Sequence, residues 1–256
     1  MINNDLKNYN LYLYLLRIAD TSLIMSQRLS EYCGVAPILE EDLSISNISL
    51  DYLGQARFLY TFISEEVPNE CTEDDFAFFR DDDEFYNLTI SELPNFDFAR
   101  TIVKIFFLSA LQIILWNNLK KSNNVSLSGI AKKSVKEAEY HFEHSSGWIN
   151  MLGNSTEKAR LKTQDAIDYL SPYTNEFFVD DENEKILNKK SVAPLWSNFS
   201  KEWHNKVNFV LRDTSLNFNL NTQFQSKGKF GLHSEFMSKI LSEMQSTARK
   251  FPGCKW

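Results

Sequence analysis

The sequence predicts an all-α fold, and three of its properties support that prediction. The 256 residues include only 8 glycines and 6 prolines, so turn-forming residues are few for a chain of this length. Long segments instead repeat apolar residues with the spacing of an α-helix. The hydrophobic content of 43% is enough for a sizeable core. Together these properties favour a bundle of long helices over a structure of many short strands.

Four long helices are predicted to form the body of this fold, over residues 11–33, 37–64, 97–121 and 125–153. Gly34 ends the first helix. Pro37 and the acids of residues 40–42 begin the second, because the amino-terminal end of a helix favours proline and negative charge. The third is apolar through its middle, where only Ser109 and Gln112 interrupt the run. We predict that it is a buried helix, since this run is too short to span a membrane.

Shorter elements complete a single predicted domain over residues 1–256. A long acidic connection, residues 65–95, contains a short amphipathic helix at residues 74–80. Further helices are predicted at residues 156–170, 194–211 and 232–250, and loops or irregular structure at residues 179–190 and 217–231.

The charge and the cysteine content restrict the classes of partner. A net charge of −7 without a basic cluster argues against nucleic acid or an anionic membrane surface as the main partner. The 3 cysteines are far apart and form no Cys-x-x-Cys motif, which is typical of proteins from a reducing compartment. The amino-terminal residues lack the basic start and apolar stretch of a secretory signal, so we expect a cytoplasmic protein.

The fourth long helix has polar residues in the middle of its predicted inward stripe, which consists of Ile130, Ser134, Glu137, His141, His144, Trp148 and Met151. A glutamate and two histidines on one helical face are typical of a carboxylate-bridged metal centre in a helical bundle. Such a di-iron centre needs a Glu-x-x-His pair on each of two helices and a glutamate from each of the other two. None of the 4 histidines has a glutamate three residues before it.

The other long helices also depart from that ligand set. Asp51 on the second helix is followed three residues later by Gly54, which has no side chain to offer. The third helix, whose central inward position is near Ser109, has no Asp or Glu between Phe98 and Val135. We therefore predict that this chain holds no metal or other cofactor and has no catalytic residue.

Asp51, Glu137, His141 and His144 are interpreted as remnants of a lost metal site. Buried acids at positions 51 and 137 would need cationic or hydrogen-bonding partners, because an unpaired buried charge is costly. The candidate cations near in sequence are Arg28, Arg57 and Lys136. Gly54 would allow another helix to approach closely.

Two catalytic alternatives remain open. One is a metal-dependent oxygenase or oxidase that uses Asp51, Glu137, His141 and His144 as an unusual ligand set. The other is a cation-dependent diphosphate enzyme that uses Asp180, Asp181 and Glu184, which match an Asp-Asp-x-x-Glu pattern. A solvated acidic loop is the preferred interpretation of that pattern, since charge runs are usually on the surface. The acids of residues 81–84 are interpreted in the same way, as a hydrophilic turn, a helix cap or a patch for a partner.

Blocks of sequence along nearly the whole chain resemble the C subunits of bacterial phenylacetyl-CoA oxygenase (1,2-epoxidase) complexes. These blocks are residues 29–34, 40–42, 47–57, 80, 87–88, 93–99, 136–148, 170–174, 231–233, 243–245 and 251–256.

The resemblance implies a ferritin-like four-helix bundle with additional C-terminal helices. It also implies a homologous A subunit that holds the di-iron centre and epoxidises the aromatic ring of phenylacetyl-CoA, with other subunits that include a reductase. The expected role of this chain is then that of the structural, non-catalytic subunit in phenylacetate degradation.

Overall fold

The computed structural model describes residues 8–65, 71–219 and 223–254. Within these residues the regular structure consists of α-helices, 3₁₀ turns and one isolated bridge between Lys227 and Leu232, so the all-α prediction is confirmed. The parts of the predictions that concern residues 1–7, 66–70, 220–222 and 255–256 lie outside the described residues. These include the amino-terminal residues predicted to lack a secretory signal, the middle of the acidic connection and the last two residues of the tail that resembles the C subunits.

Eleven α-helices occur in the described residues. They are α1 (Tyr9–Ser30), α2 (Leu39–Ser64), α3 (Glu73–Phe78), α4 (Thr89–Glu92), α5 (Phe98–Leu119), α6 (Val125–Gly153), α7 (Glu157–Leu170), α8 (Glu182–Lys189), α9 (Ser200–Leu211), α10 (Met237–Met244) and α11 (Ser246–Lys250). The 3₁₀ turns lie at Asp82–Glu84, Ser171–Phe178, Trp196–Phe199 and Gly228–Phe230.

The chain forms two compact units, of which the first comprises Met1–Pro94 and Ser226–Trp256. Its centre is a helical hairpin in which α1 packs along α2. The connection between these helices turns at Gly34, whose φ of 80° is a left-handed conformation that glycine adopts without strain. Most of α1 is buried, and Arg17, Asp20 and Arg28 are its charged residues.

The second unit comprises Asn95–Gln225, and its centre is a hairpin of α5 and α6. Helices α7 and α9 also pack on α5, and the indole N–H of Trp203 donates to the carbonyl of Phe107 at 3.0 Å. With 22 residues, α5 is long and apolar enough to cross a membrane, so the prediction that it is too short is wrong. However, 89% of its most apolar stretch is buried inside the protein, which confirms the predicted core helix.

Two segments differ from their predicted structure. Residues 179–190 include helix α8 rather than only a loop, because Asp181 and Glu184 form a capping box at its start. The predicted helix over residues 232–250 begins only at Met237 and is divided into α10 and α11. Its first residues are held in another conformation, since His233 and Ser234 bind the side chain of Glu92.

The C-terminal segment of the first unit packs against the connection that precedes α4, at a point where only glycine fits. The N–H of Gly228 donates to Thr89 Oγ1 at 3.0 Å. A Cβ atom at position 228 would lie 2.5 Å from the carbonyl oxygen of Asn87 and 3.0 Å from the backbone nitrogen of Thr89. Since both are backbone atoms, relief of this overlap would require the two segments to separate.

Gly228→Ala is therefore expected to lower the free energy of unfolding by about 1–3 kcal/mol, the usual cost of overpacking. The matched control is Gly129→Ala on α6, where a Cβ has no neighbour within 4 Å. That control should stabilise the protein by up to about 1 kcal/mol, because alanine is the better helix former. Urea unfolding of both variants measures the difference, and equal midpoints would contradict the prediction.

Candidate functional site

The buried stripe of α6 is rotated slightly from its predicted position. His141 and Ser134 are fully buried, Glu137 and His144 are half-buried, and Met151 is 58% exposed, so its predicted inward placement is wrong. The residues that form the buried stripe are mostly small: Leu127, Ser128, Ala131, Ser134, Val135, Ala138, His141, Ser145, Ile149 and Gly153. Small side chains allow neighbouring helices to lie close, so His141 is the one large polar side chain of this stripe.

His141 and His144 of α6 contact neighbouring residues of their own helix. Ser145 Oγ donates to the carbonyl of His141 at 2.7 Å. The ring of Tyr140 stacks on that of His144, with 6.1 Å between the ring centroids. Glu137, His141 and His144 each engage at least one further group as well.

Asp51 on α2 is half-buried, which corrects the expectation that it is a buried acid. Of the cations considered as its partner, Arg28 pairs with Glu31 at 2.8 Å and Arg57 pairs with Glu73 at 2.7 Å. Burial, and then the charge of Asp51, raise the pKa of the neighbouring Tyr52 phenol above its usual range.

Gly54 marks no close helix contact among the residues that the structure describes. A Cβ at this position would have no neighbour within 4 Å among the described atoms, which corrects the expectation of close approach. The central position of α5 agrees with its prediction, since Ser109 is fully buried and donates to the carbonyl of Phe106 at 3.2 Å.

The acidic motif of residues 180–184 has a structural use. Asp181 Oδ1 accepts a hydrogen bond from the N–H of Glu184 at 2.9 Å, and the Glu184 carboxylate accepts one from the N–H of Asp181 at 3.2 Å. Asp180 Oδ1 accepts from the N–H of Ser197 at 3.1 Å. Glu184 is fully buried, so the prediction of a solvated loop is wrong for this residue. One oxygen of each of the three carboxylates thus accepts a hydrogen bond from a backbone N–H group.

Asp20 of α1 forms a buried ion pair with Arg80, which follows α3. The Nη2 and Nη1 atoms of Arg80 donate to the two oxygens of Asp20 at 2.5 and 3.1 Å. The phenol of Tyr60 and the N–H of Tyr86 donate to the same carboxylate at 2.5 and 2.8 Å. Burial, followed by the charge of Asp20, raises the pKa of Tyr60 well above its usual range, so the phenol remains protonated. All four donors are therefore directed at the carboxyl group of Asp20.

The remaining donors of Arg80 are bound as well. Its Nε donates to the carbonyl of Phe76 at 2.6 Å, and Nη1 donates to the carbonyl of Glu84 at 2.8 Å. The guanidinium also lies over the ring of Phe85, 4.0 Å from its centroid. Burial lowers the pKa of Arg80, but Asp20 outweighs that effect and raises it, so this side chain stays cationic.

A second buried pair joins Glu92 of α4 to His233, 141 residues further along the chain. Glu92 Oε1 lies 2.6 Å from His233 Nδ1 and accepts from Asn87 Nδ2 at 3.0 Å. Glu92 Oε2 accepts from the N–H and the hydroxyl of Ser234 at 2.8 and 2.6 Å. His233 Nε2 lies 2.8 Å from the carbonyl oxygen of Phe85, so both ring nitrogens face acceptors.

The geometry around His233 is that of an imidazolium, because a carbonyl oxygen and an ionised carboxylate can only accept hydrogen bonds. Burial lowers the pKa of His233, but the hydrogen bond and charge of Glu92, with the Phe85 carbonyl, outweigh it and raise the pKa above its usual value. The pair holds the C-terminal segment against α4.

Neither buried pair was predicted from the sequence. Asp20 had a local signal, since it is the one acid within the apolar helix α1. Arg80 and His233 had none, because each partner is remote along the chain. The carboxyl groups of Asp20 and Glu92 each accept several hydrogen bonds from the protein itself. The role of each pair is therefore to neutralise buried charge. In the part of the chain that the structure describes, no three His, Cys, Asp or Glu side chains meet as a group suited to a metal ion.

Two long helical hairpins, with acids and histidines set into apolar stripes, place the protein in the all-α, ferritin-like class. The chain belongs to the family of phenylacetic acid catabolic proteins, whose family model matches residues 2–256. The C subunit of the 1,2-phenylacetyl-CoA epoxidase of Escherichia coli (strain K12) is 39% identical over 243 residues, which cover 95% of this chain and 98% of that protein. The resemblance found in the sequence is thereby confirmed.

Proposed function

We propose that this chain is the non-catalytic structural subunit of a cytoplasmic phenylacetyl-CoA 1,2-epoxidase in phenylacetate degradation. It would hold a homologous subunit that carries the di-iron centre, in a complex that also includes a reductase. The name of the E. coli relative, which matches almost end to end, supports membership of such a complex. The scaffolding role is our inference from the residues.

The observation that carries the scaffolding role is the composition of α5. A di-iron bundle takes a carboxylate from each of its four central helices. Over its full length, Phe98–Leu119, α5 contains no Asp or Glu, and its central position is Ser109. The residues present therefore do not fit a four-helix carboxylate ligand set. The buried acids Asp20 and Glu92 are instead neutralised by Arg80 and His233.

This proposal predicts almost no iron on the chain when it is purified alone and loaded anaerobically with ferrous iron. The homologous subunit, loaded in parallel, should take up about two irons, as expected for a di-iron bundle. Iron analysis of the desalted proteins makes the measurement. About two irons on this chain would contradict the scaffolding role.

The alternative is an oxygenase or oxidase whose metal is held by this chain itself. The observation that favours it is the placement of Glu137, His141 and His144 within two turns of α6. Glu137→Gln and His144→Gln are the suitable variants, because both side chains are half-buried and the fold should tolerate them. In the assembled complex the scaffolding role predicts unchanged turnover for both, whereas a metal-ligand role predicts its loss.

A further inference from the structure

Arg100, in the first turn of α5, lies against two aromatic rings at the surface of the second unit. Its guanidinium carbon is 4.5 Å from the ring centroid of Phe96 and 4.5 Å from that of Tyr169. The two rings are perpendicular, with 6.3 Å between their centroids, so they form a corner around the guanidinium. Tyr173 packs behind Tyr169 at 6.2 Å and supports this corner. We call Phe96, Arg100 and Tyr169 the Arg100 cluster.

The edge of the Arg100 guanidinium is left open by these contacts. Within the described residues, the two rings are the groups that its side chain contacts. Asp97 Oδ1 instead accepts from the backbone N–H of Arg100 at 3.0 Å and caps α5, and Asp168 Oδ1 accepts from Gln164 Nε2 at 2.8 Å. Rings pack on the faces of a guanidinium, whereas its N–H groups point outward in its plane. Arg100 is therefore positioned to donate two parallel hydrogen bonds to an oxyanion.

The backbone of Phe96 is strained in the conformation that places its ring beside Arg100. Its φ is 54°, in the left-handed region that bulky residues rarely adopt. Around it the chain closes a three-residue turn, in which the N–H of Asp97 donates to the carbonyl of Asn95 at 2.6 Å. Strained residues other than glycine are concentrated at functional sites. Phe96 is 65% exposed, so the strain presents a ring to solvent instead of filling the core.

We propose that the Arg100 cluster binds a nucleoside phosphate. The phosphate accepts hydrogen bonds from the edge of Arg100, and the base stacks on the exposed face of Phe96. Aromatic side chains stack on bases of any sequence, and guanidinium groups match the geometry of phosphate oxygens. A nucleotide carries both groups a few bonds apart, so it engages both parts of the cluster at once. The positive end of the α5 dipole also favours the phosphate.

The test is a saturation-transfer NMR titration of the full-length chain with adenosine 5′-monophosphate (AMP). The wild-type chain binds AMP with a dissociation constant of about 1 mM or below, and the base protons receive the strongest transfer. Adenosine, which lacks the phosphate, and ribose 5-phosphate, which lacks the base, each bind at least about tenfold more weakly.

Variants of the two binding residues separate recognition from stability. Phe96→Gly raises the dissociation constant of AMP by at least about tenfold. It leaves the thermal midpoint unchanged or higher, because glycine adopts a φ of 54° without strain. Arg100→Gln has an equal effect on binding, and Arg100→Lys a smaller one, since lysine keeps the charge without the fork. The matched control is Arg212→Gln, which leaves binding unchanged. Arg212 lies 4.1 Å from the ring centroid of Phe209 but is already paired with Asp213 at 3.3 Å.

Two sources supply this ligand chemistry, a free nucleotide and the nucleotide end of a CoA thioester. Coenzyme A is the probe that distinguishes them: it binds at least about tenfold more tightly than AMP if the thioester is the natural ligand, and no more tightly if a free nucleotide is. Either result supports the site.

Three results would overturn the proposal. They are the absence of AMP binding, equal affinities for AMP and ribose 5-phosphate, and an AMP affinity that Phe96→Gly and Arg100→Gln leave unchanged. The titration uses the chain alone and involves neither iron nor turnover, so its result is independent of the scaffolding role.

Discussion

Arg80→Met is expected to lower the free energy of unfolding by about 3–5 kcal/mol, the usual cost of removing one partner of a buried ion pair. The carboxylate of Asp20 is fully buried, and Arg80 supplies both of its charged donors. The variant also removes the donors of the carbonyls of Phe76 and Glu84. Chemical denaturation with a two-state fit measures the loss, and a change below about 1 kcal/mol would contradict the assigned role of this pair.

Two further variants separate this ion pair from a general effect of arginine removal. Arg57→Met is the matched control, because Arg57 also pairs with a carboxylate but its side chain is 71% exposed. Its expected cost is about 0–1 kcal/mol, as for other surface pairs. Asp20→Asn in the Arg80→Met background should recover part of the lost stability, since the stranded charge is removed while an oxygen remains to accept from Tyr60.

Local signals in the sequence were sufficient to place the long helices. The predicted helix over residues 125–153 coincides with α6, because Asn124 caps its start through a hydrogen bond from the N–H of Leu127 and Gly153 ends it. Helix α8 was missed although its start carries a capping box at Asp181 and Glu184. Because many residues of that segment are charged, a loop was predicted there instead of a short amphipathic helix with Leu187 on its buried side.

The buried polar groups were harder to predict than the helices. Spacing placed His141 and Ser109 in the interior, since both belong to long helices with clear periodicity. Helical spacing also predicted that Asp51 is buried, whereas it is only half-buried. The reason is that the centre of the buried face of α2 depends on how α1 packs against it. The partner of Asp20 lies 60 residues away, and helical periodicity carries no information about pairing at that distance.

The stability of the protein is expected to depend on pH through His233. The pKa of this side chain is higher in the folded protein than its unfolded value of about 6.5. The contribution of the imidazolium to stability is therefore fully present below about pH 6.5 and is lost as the pH rises through the folded-state pKa. His233→Gln should cost about 1.5–3 kcal/mol at the acidic end, the usual value for a hydrogen bond to a charged group.

The measurement is the difference in unfolding free energy between wild type and His233→Gln at a series of pH values from mildly acidic to alkaline. Because glutamine does not titrate there, this difference should decrease towards high pH, while Glu92 keeps its bonds from Ser234 and Asn87 in both proteins. His204→Gln is the matched control, since His204 is half-buried and binds the carbonyl of Ser200 on its own helix. A pH-independent difference for His233→Gln would show that folding does not change the pKa of His233. The C-terminal segment would then be held by hydrogen bonds and packing, without a net contribution from an ion pair to Glu92.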